Sequence, residues 1–226
     1  MSSLLTTGIR NQPQYITEGL KMYLDVGNLN SYPGTGTTWY DLSGNSLNAS
    51  GATAISNGYL LDTQPYNTVS TSILDTDYHS IFMMLQINAT NGSWSKIFGY
   101  TPSGTDRSPG IWRHPNSRRL HWRYDPSNTG FDFGPTSSTS QFNANTWYYV
   151  GATKNGNILR GYSNGVEAHW TSLAASPKTS GSSTIQLYPS YNQGTSKMAL
   201  IQIYNRVLTE DEISHNFNAT RGRFGL

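Results

Sequence analysis

The chain has 226 residues, contains no cysteine, carries a formal net charge of +2 at pH 7, and has only 12% charged residues. The lack of cysteine excludes a disulfide framework and thiolate catalysis. The small net charge gives no general electrostatic footprint for nucleic-acid binding. The length fits one all-β domain that buries a core without covalent cross-links.

The first 17 residues are polar apart from two apolar clusters, and they predict an N-terminal arm that precedes a domain over residues 18–226. No apolar run in the arm is long enough for the hydrophobic region of a signal peptide. No stretch of the sequence reaches transmembrane length. We therefore expect a protein that is made in a cytoplasm and has no membrane partner.

Short apolar runs that alternate with a period of two predict β-strands from residue 20 onward. In residues 20–26, Leu20 shares a face with the apolar residues two and four positions further on. In residues 198–208, Ala199 shares a face with the isoleucines two and four positions further on. Glycine, proline and asparagine separate such runs, and this spacing is typical of a sandwich or barrel.

Two further runs add detail to the predicted sheets. Residues 80–90 are apolar on both faces, which predicts a central strand. Residues 158–170 predict a hairpin, because Asn164 and Gly165 both tolerate the positive φ that a type I′ turn requires.

A helix is predicted in "LTEDEISHNFNAT", residues 208–220. Thr209 is the expected N-cap, with Glu212 completing a capping box, while Leu208 and Ile213 occupy the positions of a hydrophobic staple. We expect this helix to cover one end of the sandwich. The predicted fold is an all-β jelly-roll β-sandwich of two antiparallel sheets with a short C-terminal helix.

Three segments resemble a laminin G-like, concanavalin A-like domain: residues 20–50 resemble its opening, residues 147–168 its middle and residues 198–220 its ending. The resemblance implies the same sandwich. It does not decide the function, because this fold hosts lectins, glycosidases, adhesion modules and virion proteins. The turn at 31–34 (Ser-Tyr-Pro-Gly) and the ending at 218–226 also resemble lectin-like proteins of tailed phages.

Glycosidase chemistry requires two carboxylates that flank the sugar. The chain has 13 acidic residues, three of which lie in the predicted helix, and Asp75 and Asp77 lie in a turn-like segment. No predicted strand presents the required pair, although a Ser-His-Asp arrangement stays open. We expect no enzymatic activity, and a glycoside hydrolase relative is the third alternative.

A calcium site is the one cofactor hypothesis that the sequence suggests. In "YDLSGNSLN", Asp41, Ser43 and Asn45 resemble the first part of a calcium loop, and Asp25 could add a carboxylate. An Asx turn explains the same loop residues without a metal. We therefore expect a structural turn, with Asp41 and Asp25 as the alternative metal ligands.

The stretch "RSPGIWRHPNSRRLHWRY", residues 107–124, mixes arginines with aromatic residues. A turn at 114–117 predicts a hairpin, and the alternation after it places the arginines and the aromatics on opposite faces. That separation disfavours nucleic-acid binding, which needs both on one groove. It leaves a solvated basic strand or a recognition face. The candidate ligand- or partner-binding residues are Trp112, Arg113, His114, Arg119, His121 and Arg123.

These observations together predict a binding protein. The first hypothesis is a phage virion surface protein, either a head decoration or a fibre-associated lectin-like module. Its expected partners are other virion proteins of the capsid or fibre and host surface glycans, with a homo-oligomer as a further expectation. The alternative is a free carbohydrate-binding lectin with a calcium site.

Overall fold

The structure is a computed structural model that describes residues 15–55, 58–61, 63–101, 109–124, 130–173, 183–188 and 196–226. In this part of the chain, two antiparallel sheets pack face to face and an α-helix follows near the C-terminus. The predicted all-β sandwich with a short C-terminal helix is confirmed.

The strands of the first sheet are β1 Leu20–Asp25, β4 Leu60–Leu61, β6 Tyr78–Ile87, β11 Trp147–Asn155, β12 Ile158–Ser163, β13 Val166–Ser172 and β15 Ser196–Tyr204. Their order is β1-β15-β6-β11-β12-β13, and β4 pairs with β15. Strand β13 is therefore an edge of this sheet.

The strands of the second sheet are β2 Thr38–Trp39, β3 Ala49–Gly51, β5 Tyr66–Thr71, β7 Ser95–Thr101, β8 Gly110–Arg113, β9 Leu120–Arg123, β10 Gly130–Phe133 and β14 Ser183–Leu187. Their order is β10-β9-β8-β7-β14-β5-β3-β2. The edge strand β10 lies next to β13, the edge of the first sheet.

Strand β6 shows how the first sheet is buried on both faces. Ile81 and Met83 point into the main core between the two sheets. Phe82 and Met84 point the other way, into a second apolar cluster on the outer face. The prediction of a central strand is confirmed, since β6 lies between β15 and β11.

The helix α1 spans Glu210–Arg221 and continues into a 3₁₀ turn over Gly222–Phe224. The predicted capping box is confirmed: Thr209 accepts a hydrogen bond from the Glu212 backbone, and the Glu212 side chain accepts one from Thr209. The predicted position of the helix at one end of the sandwich is wrong. Ile213 packs into the outer cluster of the first sheet, because the apolar outer residues of β6 would otherwise face water.

Two side chains face away from the predicted side because their strands are bulged. The register of β1 against β15 shifts between Leu20 and Met22, and Leu20 joins the outer cluster. The register of β15 against β6 shifts between Met198 and Leu200, and Ala199 also joins the outer cluster. An inserted residue changes the alternation locally, which a strict period of two does not reveal.

The predicted hairpin of β12 and β13 is confirmed. Its turn has φ values of 50° at Asn164 and 83° at Gly165, as a type I′ turn requires. The Asn164 side chain also accepts a hydrogen bond from the Tyr149 backbone N–H at 2.9 Å, which ties the turn to β11.

Of the predicted arm, residues 1–14 lie outside the described part of the chain. The backbone N–H of Ile16 donates to Asn216 in the helix at 2.8 Å, and its carbonyl accepts from the Tyr204 hydroxyl at 2.9 Å. The end of the arm is thus attached to α1 and β15. None of the described helices has the length and apolar character of a membrane span.

Candidate functional site

Four side chains form a row across the outer face of the second sheet. Asp132 of β10 lies opposite His121 of β9, His121 lies opposite Trp112 of β8, and Trp112 lies opposite Lys96 of β7. Paired residues of neighbouring strands project to the same face. Each of four strands therefore contributes one side chain to the row.

Trp94 directly precedes β7 and packs over this row. Its ring centroid lies 5.0 Å from that of His114 and 5.0 Å from that of His121, and the residue is 37% exposed. The indole is thus held by two imidazoles while part of it remains in contact with solvent. We name this surface the aromatic–basic face; it consists of Trp94, Lys96, Trp112, His114, Arg119, His121, Arg123 and Asp132.

The carboxylate of Asp132 contacts two basic side chains of the aromatic–basic face. Its carboxylate accepts a 2.5 Å hydrogen bond from His121 Nδ1, and Arg119 lies 3.5 Å away. Burial alone would raise the pKa of Asp132, but the hydrogen bond from His121 and the charge of Arg119 outweigh it and lower the pKa. Burial and the nearby Arg119 lower the pKa of His114. The carboxylate is therefore ionised at neutral pH, with the Arg119 guanidinium beside it.

A depression of about 450 Å³ continues the face around the edge of β10 toward β13. Its lining includes Arg119, Asp132, Ser138, Thr139 and His169. Hydroxyl, imidazole, guanidinium and carboxylate groups converge here, so the depression offers both donors and acceptors.

The structure brings five of the six predicted binding residues to this side of the second sheet: Trp112, His114, Arg119, His121 and Arg123. Trp112 requires a correction, because it is only 5% exposed and packs against Lys96, which is also buried. The predicted hairpin of β8 and β9 is confirmed, and so is the alternation, with Leu120 and Trp122 buried in the core. Residues 107 and 108 of that stretch lie outside the described part. The participation of the four partly exposed residues, His114, Arg119, His121 and Arg123, in binding stays a prediction.

Arg113 requires a correction, because it is 0% exposed and does not reach the aromatic–basic face. Its guanidinium donates to the carbonyl of Ala89, and to the side-chain oxygens of Asn91 and Ser95 at 2.7 Å each. Arg113 thus holds the segment between β6 and β7 against β8. Its role is to support the loop that leads to Trp94, and no ligand can contact it directly.

The proposed metal ligand Asp25 also requires a correction. It is 1% exposed, and Arg223 donates to both of its oxygens, at 2.5 and 2.7 Å. The Tyr23 hydroxyl and the Gly27 backbone N–H complete its hydrogen bonds, at 2.8 and 2.9 Å. A cation at this carboxylate would have to displace a bidentate arginine.

Asp41 forms the structural turn that was predicted for its loop. Its carboxylate accepts from the backbone N–H groups of Tyr23, Ser43 and Leu47 at 2.9, 2.9 and 3.0 Å. The Ser43 bond is the Asx turn itself. Within the described residues, no three His, Cys, Asp or Glu side chains lie together in a way that could hold a metal ion.

Sequence reasoning missed three members of the face: Trp94, Lys96 and Asp132. Asp132 carried a usable signal, since Phe131 and Phe133 alternate with it and both point into the core. No local pattern indicated Trp94, because it precedes β7 and its position depends on contacts with the hairpin of β8 and β9. The pairing of His121 with Asp132 follows from strand register, which the sequence does not show.

The family model described as the concanavalin A-like lectin/glucanases superfamily matches residues 61–214. The chain belongs to this superfamily, and the predicted resemblance is confirmed. No curated protein matches the sequence.

Solved structures show the same sandwich. A Trypanosoma rangeli sialidase in complex with sialic acid is 15% identical, with a TM-score of 0.63 over 89% of this chain and 33% of the sialidase. The botulinum neurotoxin serotype D binding domain is 14% identical, with a TM-score of 0.64 over 91% of this chain and 53% of that one. The chain thus spans one third to about half of these proteins, and at such identities the likeness concerns the fold.

Proposed function

We propose that this chain is a non-enzymatic carbohydrate-binding domain whose ligand occupies the aromatic–basic face. The observation that carries the proposal is the partly exposed indole of Trp94 between His114 and His121. A pyranose presents an apolar C–H face that packs on an aromatic ring, and hydroxyls that need fixed donors and acceptors. Arg119 and Asp132 supply such groups in the adjoining depression.

Binding without hydrolysis is the better account of this face. A glycosidase places two carboxyl groups about 5–9 Å apart across the sugar. Among the described residues of the face, Asp132 is the one carboxylate, and His121 and Arg119 hold it ionised. A general acid would need a raised pKa, which is the opposite shift. In the described part of the chain, no serine hydroxyl bonds to His121 to extend the pair into a triad.

Replacing Trp94 with alanine is expected to weaken glycan binding at least roughly tenfold, because the indole supplies the apolar contact. The measurement is a glycan array that carries bacterial and animal glycans, followed by calorimetry on the strongest ligand. Tyr40→Ala is the matched control, since Tyr40 is exposed and follows β2 at the opposite edge of the sheet.

Chelation of calcium should leave binding unchanged, since Asp25 and Asp41 are already saturated by protein donors. Loss of binding in chelator would support the calcium lectin instead. Release of reducing sugar from the array ligand would support a glycoside hydrolase. Equal binding by Trp94→Ala and the wild type would refute the proposed site.

We also propose that the domain is displayed on a phage virion, in contact with capsid or fibre proteins. The support is the resemblance of residues 31–34 and 218–226 to lectin-like proteins of tailed phages, together with a turn-rich surface of low charge. Native mass spectrometry of the chain with and without residues 1–17 is expected to show an oligomer that depends on the arm and ignores calcium. A monomer in both cases would contradict an assembly role for the arm.

A further inference from the structure

Trp170 lies on the opposite side of the sandwich from the aromatic–basic face. It is 54% exposed on the edge strand β13, and it projects from the outer face of the first sheet. A single exposed aromatic side chain is common on protein surfaces and carries no function by itself. Trp170 differs because it stands beside ordered polar groups and a pocket.

The outer face of the first sheet holds Trp170 in a defined position. Strand register aligns Thr153 of β11, Arg160 of β12 and Trp170 in one row. The Arg160 guanidinium lies 6.0 Å from the centroid of the indole, within the range of a cation–π contact. Glu167 accepts a 2.7 Å bond from Arg160, which fixes the guanidinium and balances its charge.

A pocket of about 280 Å³ opens on the far side of Arg160. Asn155, Arg160, Thr209 and Glu210 contribute polar groups to its wall, and Ile158 contributes an apolar surface. The pocket therefore combines an apolar contact, hydrogen-bond donors and acceptors, and an adjacent exposed ring. These are the parts that a sugar site needs.

We propose that Trp170 and this pocket form a second carbohydrate site, for a neutral pyranose. The charge of Arg160 is balanced by Glu167, and Glu210 adds a negative charge, so an anionic sugar would be repelled. Two sites on opposite outer faces would allow one chain to bridge two glycans, and this bridging rests on the proposed function.

The test is calorimetry of the full chain with mannohexaose, cellohexaose and chitohexaose at millimolar concentration. It compares Trp94→Ala, in which the first site is removed, with the double variant Trp94→Ala/Trp170→Ala. We expect Trp94→Ala to bind at least one hexaose and the double variant to bind it at least roughly tenfold more weakly. In the Trp94→Ala background, Trp170→Phe should retain part of the hexaose binding that Trp170→Ala loses. This variant distinguishes loss of the aromatic ring from misfolding.

Equal binding by Trp94→Ala and the double variant would overturn the second site, and so would the absence of hexaose binding by Trp94→Ala. Neither outcome affects the first site, which is tested by the array ligand. Bridging is tested with mixed beads that carry the hexaose and the array ligand. Wild-type protein should aggregate them, whereas either single alanine variant should bind without aggregation. Aggregation by both single variants would overturn bridging.

Discussion

Replacing Arg223 with alanine is expected to lower the free energy of unfolding by about 3 kcal/mol. The variant removes both bonds from the guanidinium to Asp25 and leaves a 1% exposed carboxylate without its counter-charge. We take the lower end of the range for buried pairs, since the Arg223 side chain is itself 36% exposed. Gly27 is part of the same arrangement, because a Cβ there would lie 2.1 Å from the guanidinium.

The measurement is urea unfolding monitored by tryptophan fluorescence, with Arg221→Ala as the matched control. Arg221 is exposed in the last turn of α1, and its guanidinium lies 5.7 Å from the centroid of the Phe217 ring. The control should change stability by about 0.5 kcal/mol or less. Added calcium should not rescue Arg223→Ala. Rescue by calcium would support Asp25 as a metal ligand. An unchanged unfolding midpoint would show that the ion pair between Arg223 and Asp25 contributes nothing to stability.

Replacing Arg113 with methionine is expected to cost about 3 kcal/mol of stability, although methionine keeps much of the volume. The substitution removes the donors to Ala89, Asn91 and Ser95, and of these acceptors Ser95 is buried with Arg113 while Ala89 and Asn91 are exposed. The carbonyl and the two side-chain oxygens would then have to find other partners. The expected result is a lower unfolding midpoint together with weaker glycan binding, because the loop that leads to Trp94 loses its support.

Arg119→Ala is the matched comparison on the same hairpin. Arg119 is partly exposed on the aromatic–basic face, where its guanidinium donates to the carbonyl of Ser138 at 3.1 Å and lies near Asp132. It should cost about 1 kcal/mol of stability or less and weaken glycan binding. If Arg113→Met lost affinity while keeping its stability, the structural role assigned to Arg113 would be refuted.

Local patterns were sufficient for much of the fold. The capping box at Thr209, the positive φ pair at Asn164 and Gly165, and the two apolar faces of β6 each depend on residues near one another in the chain. Such features are decided by backbone sterics and nearby hydrogen bonds. The predicted alternation of apolar residues failed at Leu20 and Ala199, where the strands are bulged. A bulge depends on the packing of the partner strand, which the local sequence does not show.

The sequence predicted only part of the candidate site. Alternation on β9 correctly placed Arg119, His121 and Arg123 on one face. Alternation on β8 puts Arg113 on the inward side with Ile111, but nothing local showed which buried groups its guanidinium would bond. Nothing local showed that Asp25 would be satisfied by an arginine 198 positions further along the chain.

The sequence by itself therefore determined the fold class, the turns, the helix and the outward side of the basic hairpin, because periodicity and local backbone chemistry encode them. Only the tertiary structure decided which charges are neutralised and which rings remain exposed. It joined His121 to Asp132, Arg223 to Asp25 and Trp94 to the hairpin. Strand order and register make these contacts between distant segments, and no short stretch of sequence specifies them.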